Sequence, residues 1–223
     1  MTATTTPASV FQQRRYMILF FALLATIAIG PLLQAMPLGR ATMEALVVVS
    51  LLAAVFPIVA TMQRRMLYAL VVVAVLMRAW SSQIDAPAFI VAGALIWCLV
   101  AAWAAFRAVR HSMSSVKVSS ERMYAALSAY LLVGVCWGVL YAALARAVPG
   151  AFYVFGAPAE HAISMAEAIY FSFVTLATLG YGDITPGTAP LRGLAVFEAI
   201  FGQLYLAILV ARLVGLHTAE HTR

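Results

Sequence analysis

Charge is scarce in this sequence. Acidic side chains number 8 in 223 residues, and all charged types together make up 10%, against 65% hydrophobic residues. A soluble domain of this length needs a charged surface, so most of this chain's surface must be solvated by lipid. Cysteine is fewer still, at 2. Cys98 and Cys136 each sit inside an apolar run, which excludes a disulfide framework and a thiolate metal site and reads as small buried hydrophobes. His111, His161, His217 and His221 are scattered near segment ends and form no ligand cluster. No Ser/His/Asp grouping, phosphate-binding glycine loop or paired carboxylates occur, so neither an enzyme nor a resident cofactor is expected. The net charge of +6 does not point to nucleic acid, because the basic residues fall singly or in pairs between apolar runs.

What the chain has in abundance is apolar runs. A spanning helix needs about 20 such residues to cross roughly 30 Å of hydrocarbon. Tyr16 to Met36, Met43 to Met62, Pro87 to Phe106, Met123 to Ala145 and Leu191 to Val214 meet that length. Met66 to Trp80 is shorter and counts as a sixth if Arg78 snorkels to the interface. The first run follows Arg14-Arg15 and reads as a retained helix rather than a cleaved leader. With both termini cytoplasmic, only Arg40, Arg78, Arg146 and Arg192 of the 14 basic residues fall outside, which is the positive-inside bias. Gly30-Pro31 and Pro57 are expected to kink the first two helices, and Asp85 before Pro87 resembles a helix start.

The expected fold is therefore an all-α membrane protein with six transmembrane helices. A tail over 1–15 precedes a four-helix module over 16–107. The serine-rich stretch over 108–122 is the cytoplasmic linker, a two-helix unit occupies 123–215, and 216–223 is a short cytoplasmic tail.

Between the last two runs the pattern changes. Ser164-Met165-Ala166-Glu167 has the spacing of a capping box, and the apolar run Ala168 to Leu176 after it is too short to span. A re-entrant helix is the reading, since irregular backbone at membrane depth needs protein or a water-filled cavity around it. Thr178-Leu179-Gly180-Tyr181-Gly182-Asp183 follows directly. A dehydrated cation needs oxygens converging on one axis, and successive carbonyls turn inward only through backbone angles that glycine takes without a Cβ penalty. The negative end of the short helix points toward the cavity below this loop, where it favours a cation.

The stretch from Tyr170 to Pro186 resembles the pore helix and selectivity filter of tetrameric potassium channels, and the resemblance extends over Met123 to Gly215. It implies that the carbonyls of Thr178, Leu179, Gly180 and Tyr181 coordinate K+ as the permeant ion, with Gly182 completing the filter. It further implies that Val174, Thr175 and Asp183 support that filter, that Gly202 is the gating hinge of the inner helix, and that three further copies of the chain complete a homotetrameric pore. Ala177 and Leu179 depart from the family's more usual threonine and valine. The first four helices resemble those of six-helix members in number and layout only.

Ala88 to Ala105 carries no basic residue, whereas a voltage sensor needs about 3–4 gating charges per subunit. Arg107 and Arg110 read as anchors, so the module is expected to be sensor-like in layout and not voltage-sensing. The few residues after Gly215 leave no room for a ligand-binding domain, and His161 reads as a solvated loop residue. Glu198 and Gln203 are read as structural; Glu198 lies either behind the filter against the pore helix or near the interface.

A non-selective cation channel and a non-conducting scaffold or modulatory subunit remain as alternatives. A transporter built from four pore repeats is disfavoured by the single pore loop. Membrane lipid and further copies of the chain are the expected partners, without nucleic acid. The alanine-rich, compact chain points to a prokaryotic inner membrane.

Overall fold

Long apolar runs interrupted by short polar stretches should fold as hairpins of helices, and they do. The computed structural model describes residues 14–34, 39–55, 61–81, 87–114 and 119–221, without the side chains of 31, 33–34, 40–41, 61–64, 78–81 and 216–221. Pro57, Asp85, Lys117 and Arg223, with the side chains of Arg40, Arg64, Arg78, His217 and His221, lie outside the described residues.

Helices α1 (Arg15–Gln34), α2 (Gly39–Val55), α3 (Thr61–Ser81) and α4 (Pro87–Met113) form the N-terminal module. α1 stays helical through Gly30-Pro31. The serine-rich stretch is partly helical as well, since α4 runs on to Met113 before α5 (Ser120–Ala147) begins. Then come α6 (Met165–Leu176) and α7 (Ala189–His221).

Among the described residues, three helices are long and apolar enough to cross a membrane: α4, α5 and the Ala189–Gly215 part of α7. The apolar parts of α1, α2 and α3 among the described residues are shorter, at 10–17 residues. The described structure thus supplies three clear spans where the sequence pattern counted six.

The fold is mostly rather than wholly helical. Strands β1 (Phe152–Val154), β2 (Ala157–Pro158) and β3 (Ile184–Pro186) form a small antiparallel sheet in the order β2-β1-β3. β1 pairs Val154 with Ile184 and Phe152 with Pro186, which ties the loop after α5 to the chain just beyond Asp183. Strands of two or three residues carry no periodic signal of their own, so an all-helical expectation misses them.

The core lies where the N-terminal module meets α5. Trp97, Val100, Ala101, Ala104 and Ala108 of α4 are buried, as are Ala125, Ala129, Leu132 and Val135 of α5. Small residues let these backbones approach closely, as membrane helices require when apolar burial alone does not drive association. The two cysteines meet on this seam: the Cys98 thiol donates to the Cys136 carbonyl at 3.3 Å, and Cys136 returns the contact to the Cys98 carbonyl at 3.8 Å. α1 is pinned to the same helix at its first turn. The Tyr16 amide donates to Glu121 Oε1 at 2.7 Å, and Ser128 Oγ donates to the Tyr16 carbonyl at 3.2 Å.

Candidate functional site

The short helix begins as its sequence dictates. Ser164 Oγ accepts from the Glu167 amide at 3.2 Å while Glu167 Oε2 accepts from the Ser164 amide at 2.7 Å, so both halves of the capping box are present. α6 then sinks against α5 because two glycines leave room for it. A Cβ on Gly138 would lie 2.5 Å from Ile169 Cγ1 and 2.7 Å from its Cα, and one on Gly134 would lie 2.5 Å from the Phe173 ring. Gly134 and Gly138 are four apart, the spacing at which small residues let membrane helices touch.

Where α6 ends, its free carbonyls take the amides of the loop. The Thr178 amide donates to the Thr175 carbonyl at 2.9 Å, and the Leu179 and Gly180 amides donate to the Val174 carbonyl at 2.8 and 3.3 Å. A trans peptide holds its C=O antiparallel to the following N–H, and no peptide here is cis. With the Leu179 and Gly180 N–H groups aimed back at α6, the carbonyls of Thr178 and Leu179 are turned away from it. The backbone alternates to achieve this: φ is +57° at Thr178, +61° at Gly180 and +79° at Gly182. Two of those three positions are glycine. The third costs about 1–2 kcal/mol for an L-residue, and Gln203 Nε2 reaches its hydroxyl at 3.3 Å.

The far end of the loop is anchored separately. Tyr170 Oη donates to Asp183 Oδ2 at 2.7 Å, and the Phe155 amide donates to the Asp183 carbonyl at 2.7 Å. The loop itself is bare in a single protomer: Leu179 is 56% and Tyr181 66% exposed. Val174 is buried within α6 and Thr175 half-buried.

α7 closes the other side. Gly202 sits opposite the end of α6, where an added Cβ would meet the Leu176 carbonyl oxygen at 2.3 Å. This position, expected to be a hinge, is in a continuous helix and is held to glycine by close approach. Glu198 lies behind the loop and is fully buried. Its Oε2 accepts from Tyr141 Oη at 2.7 Å, and its Oε1 lies 2.5 Å from Ser172 Oγ. Ser172 Oγ is also 2.7 Å from the Gly134 carbonyl. One carboxyl group thus connects α5, α6 and α7. Tyr205 adds a second tie lower down, donating to the Ala126 carbonyl at 2.6 Å.

Three partners of this arrangement escape a reading of the sequence: Tyr141, Ser172 and the Gly134/Gly138 pair. The glycine spacing was the visible signal. Nothing local marks Tyr141 or Ser172, which gain their role only when three helices converge. In the N-terminal module, Arg107 stacks its guanidinium 5.4 Å over the Trp103 ring. His161 is exposed in the outer loop beside Glu160.

Residues 125–218 match a family model described as an ion channel. The chain is also similar to two pore potassium channel c of Oryza sativa subsp. japonica, with 38% identity over 97 residues. That similarity covers 43% of this chain and 19% of the rice protein, so the chain spans about a fifth of the length of that relative. No solved structure matches. These similarities, together with the apolar spanning helices, support a membrane ion channel rather than an enzyme.

Proposed function

We propose that this chain is one subunit of a homotetrameric, potassium-selective channel and conducts K+ passively through a pore on the fourfold axis. The observation that carries this is the loop after α6. Positive φ recurs at Thr178, Gly180 and Gly182 while the amides of Thr178, Leu179 and Gly180 are tied to the end of the helix. Backbone of that form presents carbonyl oxygens on the side away from α6, and four copies around one axis make the stacked cages that replace a potassium ion's hydration shell. Thr178, Leu179, Gly180 and Tyr181 coordinate the ion, with Gly182 completing the run. Val174 and Thr175 hold its amides, and Asp183 holds its outer end.

One protomer leaves this machinery unfinished. Only 11% of the most apolar window of α7 is buried, and Phe197, Ile200, Phe201, Leu204 and Ile208 are exposed along it. Neighbouring subunits cover part of that surface and lipid the rest. α1 to α3 complete six crossings by local thinning of the bilayer and snorkelling of flanking residues, which accommodate short apolar stretches at modest cost. The N-terminal module is sensor-like in layout but does not sense voltage, because its fourth helix has no cation between Ala88 and Ala105.

The test is flux. The purified chain in liposomes with an outward K+ gradient is expected to carry K+ current that barium blocks and sodium does not replace. Equal sodium and potassium flux would refute the selectivity, and absent flux would leave a non-conducting membrane protein. Cross-linking in detergent should stop at four subunits.

A further inference from the structure

The contacts around Glu198 do not close unless its carboxyl carries a proton. Three short oxygen–oxygen contacts meet there: Tyr141 Oη to Glu198 Oε2, Ser172 Oγ to Glu198 Oε1, and Ser172 Oγ to the Gly134 carbonyl. Each needs one hydrogen between its two oxygens. A tyrosine and a serine supply one each, and a carbonyl supplies none. With Glu198 ionised there are two hydrogens for three contacts, and Ser172 must abandon either the carboxylate or Gly134. With Glu198 neutral there are three. Tyr141 donates to Oε2, the carboxyl O–H at Oε1 donates to Ser172 Oγ, and Ser172 donates onward to Gly134.

The surroundings agree with a neutral acid. Glu198 is fully buried in a helix suited to span the membrane, where an unpaired carboxylate is costly. The titratable groups near it are Tyr141, Tyr130 and Cys136, all on α5 and all uncharged in their ordinary form. α6 faces it with Ser172, while the ionisable residues of that helix, Glu167 and Tyr170, are engaged at Ser164 and Asp183. α7 contributes Glu198 itself.

Ser172 is two residues before Val174, whose carbonyl holds the Leu179 and Gly180 amides. We propose that Glu198 is a positioning residue, held as the neutral carboxylic acid, whose proton completes the Tyr141–Glu198–Ser172–Gly134 chain and so fixes the pore helix that carries the filter. This rests on the channel reading for its consequence in flux, but not for the proton itself. Removing the proton breaks one link of the chain, places a charge behind the filter, and frees α6 to shift against α5 and α7.

The experiment has two arms on the full chain in detergent and in liposomes. In infrared spectra at neutral pH, where a free glutamate is ionised, the wild type is expected to show a protonated-carboxyl band that Glu198→Gln removes and Tyr141→Phe displaces. In liposomes, K+ over Na+ preference is expected to fall as the pH is raised through the point where that band vanishes. Glu198→Gln, whose amide donates to Ser172 and accepts from Tyr141 as the neutral acid does, should keep its preference across the same range. Glu198→Asp, one methylene shorter, should lose preference at neutral pH.

A wild type without the band, or a Glu198→Gln protein with the wild type's pH dependence, overturns the proposal. Wild-type protein that shows the band but carries no K+ leaves the proton assignment standing and refutes the channel reading instead.

Discussion

Substituting alanine at Gly202 separates two accounts of that residue. If Gly202 is a hinge, alanine stiffens the helix and shifts opening while stability holds or rises, because glycine inside a helix costs roughly 0.5–1 kcal/mol relative to alanine. The structure predicts the opposite. The new Cβ would lie 2.3 Å from the Leu176 carbonyl oxygen and 2.9 Å from Leu176 Cδ1. A side-chain methyl can rotate away, but the carbonyl belongs to the last turn of α6 and moves only if the helix moves.

Overpacking of that kind costs about 1–3 kcal/mol, and the gain in helix propensity offsets less than 1 of it. The expected outcome is a net loss of about 1–2 kcal/mol per subunit, together with weaker discrimination between K+ and Na+, since Leu176 is two residues from Thr178. Gly193 and Gly215 on the same helix have nothing within 4 Å of an added Cβ, so alanine there is expected to be neutral or slightly stabilising. Thermal unfolding of the detergent-solubilised protein and liposome flux under paired ionic conditions read both quantities. A Gly202→Ala protein as stable as the Gly215→Ala control, with full discrimination, would refute the close-approach argument.

Other expectations follow from the same geometry. Gly138→Ala should destabilise more than Gly134→Ala, since the first meets the Ile169 backbone and the second the far edge of the Phe173 ring; chemical denaturation of the two variants ranks them. Tyr170→Phe removes the donor to Asp183, a bond to a charged group worth about 1.5–3 kcal/mol, and conduction should fade faster on transfer to K+-free solution. Gly180→Ala puts a Cβ on a residue at φ +61°, and selective rubidium uptake should be abolished while the protein still reaches the membrane. Current recorded against voltage should lack a steep activation limb; one equivalent to several gating charges would contradict the uncharged α4.

The backbone form of the proposed filter loop was legible because its chemistry is local. Carbonyls can converge only where the backbone reverses handedness at alternate residues, and glycine at 180 and 182 announces that need in the sequence. The start of α6 was equally local, since Ser164 and Glu167 satisfy each other across one turn. Spanning runs could be read from composition alone. Among the described residues, three of the six are long and apolar enough to be full spans. The small sheet was invisible, its strands too short for any alternation.

What the sequence determined by itself, then, was that the chain is built for a membrane and carries a glycine-punctuated loop directly after a short capped helix. Tertiary structure decided what holds that loop. Glu198, Ser172 and Tyr141 are separated by 26 and 57 positions along the chain, and no local pattern relates them. They meet because Gly134, Gly138 and Gly202 let three helices come close enough for one buried carboxyl to reach two of them. The role of Glu198 was therefore ambiguous in the sequence and definite in the fold: a polar group buried in a spanning helix must find partners, and only the packing says which.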